Sequence, residues 1–244
     1  MLRTLYAWTV GVVYTIFWST LGILTWPFSP RGDLYLKFAR IWSGWILASL
    51  GIPIEVERSA RLDSHRTYLF MANHRSAFDI FALFRAIDHP FRMIAKRGLF
   101  FIPIFGWSLW MCGFIPINRS DRESAIKSLH KAAHRMRNGL SVLVFPEGTR
   151  GTSPTIQHFK KGGFYLALQS EAPVVPVVLL GTDRILPKGG RKVHRGSITV
   201  RIGEPIETAG LGIAARERLM GEVRSAMERL AETHSEAAAP SPSL

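Results

Sequence analysis

The fold class follows from residues 67–79, which have the sequence TYLFMANHRSAFD. The first six residues form a mostly apolar run of strand length, and the polar turn that follows opens a helix. Open α/β sheets bind their ligands outside the carboxyl ends of their strands. The turn that contains His74 is therefore a candidate functional site.

Candidate strands and helices alternate along the chain after Pro53. The candidate strands are residues 54–57, 67–72, 91–95, 113–117, 141–145, 174–180 and 197–202. The candidate helices are residues 77–86, 121–138, 162–169 and 214–234. Ser120 and Glu123 make a capping box for the second of these helices. This alternation predicts an α/β fold with a mostly parallel central sheet flanked by helices.

The composition favours one sizeable core and a lipid partner. The chain has 244 residues, a formal net charge of +13 and 47% hydrophobic residues. The positive charge suits nucleic acid, an anionic lipid surface or a phosphorylated substrate. The basic residues read as scattered rather than concentrated in one run, and no nucleic-acid-binding motif accompanies them. We therefore expect a membrane lipid partner and no nucleic acid.

The first 52 residues contain two apolar segments. Residues 5–28 are long enough, at about 1.5 Å per residue, to cross a hydrocarbon layer of roughly 30 Å. Residues 41–52 are too short to cross. Either the first segment spans the membrane once, or both segments form a membrane-embedded helical hairpin in one leaflet. We favour the hairpin, because the second segment needs an apolar environment and cannot cross.

The basic residues beside these segments predict the orientation. Arg31, Lys37 and Arg40 place the downstream domain in the cytoplasm, by the rule that basic residues flank membrane segments on that side. The expected organisation is a membrane-associated N-terminal unit at 1–52, an α/β domain at 53–234 and a disordered tail at 235–244. The expected location is an inner or cytoplasmic membrane.

His74 and Asp79 are five residues apart, which allows two interpretations. The Asp79 carboxylate can accept a hydrogen bond from one ring nitrogen of His74, fix its tautomer and leave the other nitrogen free to take a proton. Alternatively, Ser76 and Asp79 form a capping box, and Asp79 serves only the start of the helix. The spacing alone does not separate the two.

Cations follow three further candidate strands. Lys96 follows 91–95, Arg119 follows 113–117, and Arg150 ends the segment FPEGTR at 145–150. A guanidinium there suits phosphate, because it forks onto two oxygens. If these strands run parallel, the three cations and His74 share one edge of the sheet. Their convergence predicts a phosphate site beside a base.

Other reactive side chains have structural interpretations. His130 and His134 are four residues apart on a helix, but the cations around them favour a solvated basic face over a metal site. Cys112 is the only cysteine, so neither a disulfide framework nor a cysteine-based metal site is expected. The serine-nucleophile pattern Gly-x-Ser-x-Gly does not occur. We therefore expect no metal.

Four blocks resemble the glycerolipid acyltransferases, specifically the lysophosphatidate acyltransferases (1-acylglycerol-3-phosphate O-acyltransferases). They are the His-x4-Asp motif at 74–79, the Gly-x-Ile-x-Ile-x-Arg pattern at 113–119, FPEGTR at 145–150 and the proline-centred VPV at 175–177. The stretch FKKGG at 159–163 is also typical. The likeness extends from about residue 54 to about residue 206. Gly98 departs from it, since relatives often carry an acidic residue there.

The resemblance implies acyl transfer without a covalent enzyme intermediate. His74, oriented by Asp79, would deprotonate the sn-2 hydroxyl of 1-acylglycerol-3-phosphate, which attacks an acyl thioester to give phosphatidate in phospholipid synthesis. The donor would be acyl-CoA or an acyl-carrier protein, and no cofactor is implied. Phosphate binding carries over to Arg119 and Arg150, with Lys96 as a helper.

Substrate contact carries over to Glu147, Gly148 and Thr149. Two alternatives to this function stay open. One is the same chemistry on another lysolipid, such as a lyso-ornithine lipid or a lysophospholipid. The other is a non-catalytic membrane lipid-binding protein.

Overall fold

The computed structural model describes residues 1–29, 32–153 and 155–232. Arg31, which contributes to the predicted orientation, lies outside the described residues. So do the tail predicted at 235–244 and His234, the predicted end of the last helix.

A seven-stranded sheet forms the centre of the structure. Its strands are β1 (Ile54–Arg58), β2 (Leu69–Ala72), β3 (Arg92–Lys96), β4 (Ile115–Ile117), β5 (Val142–Val144), β6 (Val174–Leu180) and β7 (Ile198–Ile202). The order across the sheet is β1-β7-β6-β2-β5-β3-β4. Each strand lies where the sequence predicts one.

Five adjacent strands run parallel, from β6 through β2, β5 and β3 to β4. β7 pairs antiparallel with β6, and β1 pairs parallel with β7. The predicted mostly parallel sheet is thus confirmed. Because β2, β3, β4 and β5 share one direction, the residues that follow them meet along one edge of the sheet, called the carboxyl edge below.

Helices cover both faces of this sheet. They are α1 (Leu2–Thr25), α2 (Asp33–Ser49), α3 (Phe78–Ala86), α4 (Phe105–Met111), α5 (Arg122–Arg137), α6 (Lys161–Ser170), α7 (Thr182–Ile185) and α8 (Arg216–Glu232). Short 3-10 helices add Trp26–Phe28, Arg97–Phe101 and Ile213–Ala215.

Alternation along β2 divides the interior into two cores. Phe70 and Ala72 join the core that contains residues of α1, α2, α3 and α4. Leu69 and Met71 join the core that contains residues of α5, α6 and α8. The N-terminal helices and the long middle helix therefore lie on opposite sides of the sheet.

Three helix predictions need correction. The sequence did not indicate α4, because residues 99–114 are almost uniformly apolar and show no helical period. α2 begins at Asp33 rather than at Ile41. The N-cap of α5 is Asp121, whose carboxylate accepts a hydrogen bond from the Ser124 amide at 3.1 Å; Ser120 is not the cap.

α1 and α2 fold back on each other as a helical hairpin. Arg3 near the start of α1 donates to the Leu50 carbonyl just after α2, at 2.8 Å. The Trp42 indole donates to Thr15 in the middle of α1 at 3.2 Å. A Cβ atom on Gly22, near the end of α1, would come within 2.4 Å of Tyr35, so glycine permits the close approach there.

The two faces of α1 have different environments. Its inner face buries Ala7, Val10, Trp18 and Gly22 against the rest of the structure. Its outer face exposes large apolar side chains along the whole helix, namely Leu2, Leu5, Tyr6, Trp8, Val12, Val13, Ile16, Phe17 and Leu24. Within the described part of the chain, Leu2–Phe28 is the one helical segment long and apolar enough to cross a membrane.

Polar contacts join the hairpin to α4 and to the loop after α3. The Tyr35 hydroxyl lies 2.8 Å from Ser108 Oγ in α4, and Ser108 in turn donates to Ser19 in α1 at 3.3 Å. Arg40 donates to the carbonyl of Ile87 at 2.9 Å, just after α3. Arg40, which the sequence suggested as an orientation signal, therefore also joins α2 to the loop after α3.

Candidate active site

Asn73 fixes the turn that follows β2. It is 1% exposed, and its side chain continues the pairing between β2 and β6. Its amide nitrogen donates to the Leu179 carbonyl at 3.0 Å, and its amide oxygen accepts from the Leu179 N–H at 2.7 Å. The side chain thus replaces one rung of the backbone ladder, and the chain can turn away from the sheet without leaving a buried backbone group of Leu179 unpaired.

His74 and Asp79 form a hydrogen-bonded pair. The distance from His74 Nδ1 to Asp79 Oδ2 is 2.7 Å, and the Asp79 side chain is fully buried. The same carboxylate oxygen accepts from the backbone N–H groups of Arg75 at 2.7 Å and Ser76 at 2.9 Å. Asp79 holds the turn through two backbone N–H groups and also contacts the imidazole, so it does not serve only the start of the helix, whose N-cap is Ala77 rather than Ser76.

The position of the His74 ring is determined on several sides. Its plane stacks on Phe145 with a centroid distance of 3.9 Å and an interplanar angle of 15°. Its carbonyl accepts from the Gly151 N–H at 2.7 Å. Nε2 has no hydrogen-bond partner among the described residues, and the side chain is 15% exposed. One ring nitrogen is thus oriented by a carboxylate and the other is free to exchange a proton.

Glu147 connects the His74 turn with the loop after β5. The residue is 4% exposed. Its two carboxylate oxygens accept from the backbone N–H groups of His74 and Gln157, each at 3.3 Å. Burial raises the pKa of this carboxyl, and the two backbone hydrogen bonds only partly offset the increase. The geometry makes Glu147 a positioning residue rather than an exposed substrate contact.

The three predicted cations lie at the carboxyl edge. Lys96 ends β3, in register with Ile117 of β4, and Arg119 follows two residues later. Arg119 Nη1 donates to the Gly148 carbonyl, which brings the strand end of β4 to the FPEGTR segment. Arg150 precedes Gly151, the residue that bonds to the His74 carbonyl. Lys96 and Arg119 are exposed and Arg150 is half-buried.

A cavity of about 420 Å³ opens beside these cations. Its polar lining comes from Arg119, Gly148, Thr149 and Lys160. Its apolar lining includes Ile94, Ile117 and Val144 from the sheet, Ala125 and Leu129 from α5, and Phe145 from the loop after β5. The apolar walls suit a hydrocarbon chain, and the cations at the rim suit an anionic headgroup.

The structure brings some predicted residues together more closely than others. Arg119, Gly148 and Thr149 line the same cavity. His74 and Arg150 do not line it directly; Phe145 both lines the cavity and stacks on His74. Lys96 lies at the same edge of the sheet, outside the cavity lining. Sequence reasoning did not identify the roles of Asn73 and Phe145, whose partners are far away in the chain.

The histidine pair on α5 lies apart from this site. His130 contacts the Tyr165 hydroxyl at 3.4 Å, and His134 contacts Asn138 at 3.3 Å. Across the described ranges, no group of three or more His, Cys, Asp or Glu residues is placed to hold a metal ion. Cys112 is buried, and burial raises the pKa of its thiol to about 12, so it is protonated at neutral pH.

Residues 53–180 match the family model described as Acyltransferase, and this range covers just over half of the chain. The chain belongs to the acyltransferase family. The match includes the His74–Asp79 pair, all three cations and the FPEGTR segment. The acyltransferase likeness seen in the sequence is thereby confirmed.

Curated relatives support the same assignment. A chloroplastic 1-acyl-sn-glycerol-3-phosphate acyltransferase of Arabidopsis thaliana is 32% identical over 88% of this acyltransferase and 62% of the relative. An enzyme with the same activity in its name from Escherichia coli is 26% identical over 94% of both chains. This acyltransferase spans only about three fifths of the length of the plant relatives.

A solved structure shows the same fold. The crystal structure of the 1-acyl-sn-glycerophosphate acyltransferase from Thermotoga maritima superposes with a TM-score of 0.83 at 26% identity. The superposition covers 98% of this acyltransferase and 97% of the bacterial chain. The likeness therefore includes the N-terminal helices as well as the sheet.

Proposed function

We propose that this acyltransferase moves a fatty acyl group from an acyl thioester to the sn-2 hydroxyl of 1-acylglycerol-3-phosphate, which gives phosphatidate for phospholipid synthesis. The observation that carries the proposal is the 2.7 Å His74–Asp79 pair at the sheet edge where the cations lie. The names of the relatives from Arabidopsis thaliana and Escherichia coli support the choice of acceptor.

In the proposed reaction His74 acts as a general base. Asp79 accepts the hydrogen bond from Nδ1–H, which leaves the Nε2 lone pair to take the proton of the acceptor hydroxyl. The hydroxyl oxygen bonds to the thioester carbonyl carbon, the carbon–sulfur bond then breaks, and the imidazolium returns the proton to the leaving thiolate. Such proton transfer contributes about 10² to 10⁴ in rate.

The cations at the carboxyl edge bind the phosphate of the acceptor in this proposal. Arg150 and Arg119 would each fork onto phosphate oxygens, with Lys96 as a further positive charge. Gly148 and Thr149 would contact the bound substrate at the cavity rim. The apolar part of the cavity would hold a hydrocarbon chain. Glu147 acts indirectly, through the backbone of the His74 turn.

The hairpin is proposed to lie in one leaflet of the membrane rather than to span it. One face of α1 is buried against the rest of the structure, so a crossing α1 would draw that part into the hydrocarbon layer. The other face is apolar along its whole length, which suits a helix lying along the lipid surface. By the positive-inside rule, the leaflet is the cytoplasmic one of an inner or cytoplasmic membrane.

The donor is proposed to be a thioester of coenzyme A or of an acyl-carrier protein, with no cofactor and no metal. The nearest alternative is the same chemistry on another lysolipid, such as a lyso-ornithine lipid or a lysophospholipid. A lyso-ornithine lipid would give Arg119 and Arg150 no phosphate to bind, whereas a lysophospholipid would present a phosphodiester. A non-catalytic lipid-binding protein would have no use for the free Nε2 of His74.

A thiol-release assay with lysophosphatidate and acyl-CoA tests the proposal. In the His74→Ala variant we expect the rate to fall by about 10² to 10⁴, because the general base is lost. His130→Ala is the matched control and should behave as wild type. Retained thiol release in the His74→Ala variant would refute the mechanism, whatever the membrane affinity of the protein.

A further inference from the structure

A short basic loop lies outside the site described above. Residues 188–195 have the sequence KGGRKVHR, and no acidic residue occurs between Asp183 and Glu204. The basic residues are therefore not uniformly scattered, and the expectation from the sequence was wrong on this point. Lys188, Lys192 and Arg195 are exposed, and none has an acidic partner among the described residues.

Backbone hydrogen bonds give the basic loop a defined shape. The Gly190 N–H donates to the Pro187 carbonyl at 2.9 Å, and the His194 N–H donates to the Ile185 carbonyl at 2.9 Å. These two hydrogen bonds join the segments on either side of the loop, so the backbone that carries its cations has a defined conformation.

The basic loop is attached to the N-terminal end of α1. The Trp8 indole donates to the Arg191 carbonyl at 3.0 Å, and the Val193 N–H donates to Thr4 Oγ1 at 3.3 Å. The exposed apolar face of α1 begins at the same place, with Leu5 at 68% and Trp8 at 49% exposure. Cations and an apolar helix face are therefore continuous on one side of the molecule.

The other end of this region contacts the catalytic turn. Ser76 Oγ donates to the Leu186 carbonyl at 2.8 Å, two residues before the loop begins. Arg75 lies 3.9 Å from Asp183. The segment that leads into the basic loop therefore contacts the turn that carries His74.

We propose that the basic loop binds anionic lipid headgroups and orients the end of α1, with the catalytic turn beside it, at the membrane surface. This inference rests on the proposed membrane location of the acyltransferase. The chemistry on both sides of the contact agrees with it, because anionic lipid surfaces attract clustered Lys and Arg and adjacent aromatic side chains enter the interface.

An acidic carrier protein is the rival ligand for these cations. The lipid surface is favoured because Trp8 and Leu5 are exposed directly beside the loop. A bilayer would bury these two side chains while its headgroups contact the cations of the loop. The experiment below separates the two ligands.

The test measures partitioning of the full-length protein between buffer and vesicles. Vesicles of pure phosphatidylcholine are compared with vesicles in which one third of the lipid is phosphatidylglycerol. The loop variant is Lys188→Gln/Lys192→Gln/Arg195→Gln. The control is Arg122→Gln/Lys127→Gln/Lys131→Gln, which removes the same charge from α5 on the opposite side of the sheet. Thermal unfolding of both variants checks that they fold as wild type.

Wild type should prefer the anionic vesicles, and the preference should shrink as salt is added. The loop variant should lose about fivefold in anionic partitioning per cation, roughly 100-fold in total, while neutral partitioning is unchanged. The control variant should keep the wild-type preference. An unchanged preference in the loop variant overturns the proposal, and so does an equal loss in both variants.

Two further measurements distinguish a failure of this proposal from a failure of the proposed function. If the loop variant partitions as wild type but loses kcat/KM only with an acyl-carrier-protein donor, the loop is a carrier site and the lipid proposal is wrong. Thiol release measured on the same samples tests acyl transfer independently. A protein that binds anionic vesicles through the loop but releases no thiol would refute the proposed function and leave this inference standing.

Discussion

The catalytic turn and the cation-bearing strand ends lie at the same edge of the sheet, yet they are held very differently. Around His74, Asn73 and Asp79 are buried and each makes at least two hydrogen bonds. Lys96 and Arg119 are exposed, and within the described ranges the one side-chain hydrogen bond that either of them makes joins Arg119 to the Gly148 carbonyl.

This difference matches two chemical requirements. A general base must meet the reacting hydroxyl at a fixed distance and angle. The residues that hold it are therefore buried, and each makes more than one hydrogen bond. A headgroup phosphate accepts contacts from many directions, so long flexible cations at a rim are sufficient. Changes in the turn should therefore affect turnover or folding, and changes in the rim should affect acceptor binding.

The largest effect is expected from Asp79→Asn. The asparagine oxygen would stay where Asp79 Oδ2 accepts from the Arg75 and Ser76 N–H groups, but it would carry no negative charge to stabilise the imidazolium that forms on His74. We expect kcat to fall by on the order of 10² to 10⁴, with little change in the acceptor KM. Steady-state thiol release measures both constants.

The control for this substitution is the same change in a His74→Ala background. Because the two residues act as a unit, Asp79→Asn should cost little more activity there. Equal losses in both backgrounds would show that Asp79 acts on something other than the imidazole.

A smaller effect, on stability, is expected from Asn73→Ala. It leaves the N–H and the carbonyl of Leu179 buried without partners, at about 1–3 kcal/mol each, so the free energy of unfolding should fall by about 2–6 kcal/mol. Chemical denaturation measures the change. Asn138→Ala, at the exposed end of α5, is the control and should cost less than about 1 kcal/mol. Equal stability of both variants would contradict the bracing role of Asn73.

The smallest effect is a pH dependence caused by Glu147. Burial raises its pKa in the folded protein, so its contribution to stability is fully present below the ordinary value of 4.5 and is lost as pH rises through the raised value. The unfolding free energy of wild type minus that of Glu147→Gln should therefore decrease with rising pH above 4.5. Each unit of pKa increase corresponds to about 1.4 kcal/mol. A difference that stays flat or rises would contradict the burial argument.

The sheet could be predicted from the sequence because its strands are short apolar runs that end in polar turns. Ala72 followed by Asn73, and Val144 followed by the FPEGTR segment, are examples. α4 could not be predicted in the same way. It lies in a stretch from Leu99 to Phe114 in which nearly every residue is apolar, so neither a helical period nor a boundary is visible.

The sequence predicts the residue types of the site but not the contacts that hold them in place. The five-residue spacing of His74 and Asp79 is local, and the sequence displays it directly. The partner of Asn73 lies 106 residues away, and the contact of Glu147 with the His74 amide spans 73 residues. Such partners are set by the order of the strands, which a single sequence does not contain.

The most direct test compares two acceptors, lysophosphatidate and 1-monoacylglycerol, which differ by the phosphate. The quantity measured is the ratio of their kcat/KM values in wild type, Arg150→Ala and His74→Ala. We predict that Arg150→Ala lowers the ratio by roughly 10- to 100-fold, the loss of one charge-assisted contact, while His74→Ala lowers both values together. An unchanged ratio in Arg150→Ala, together with unchanged turnover in His74→Ala, would contradict the claim that a general base and a phosphate-binding site lie at one edge of the sheet.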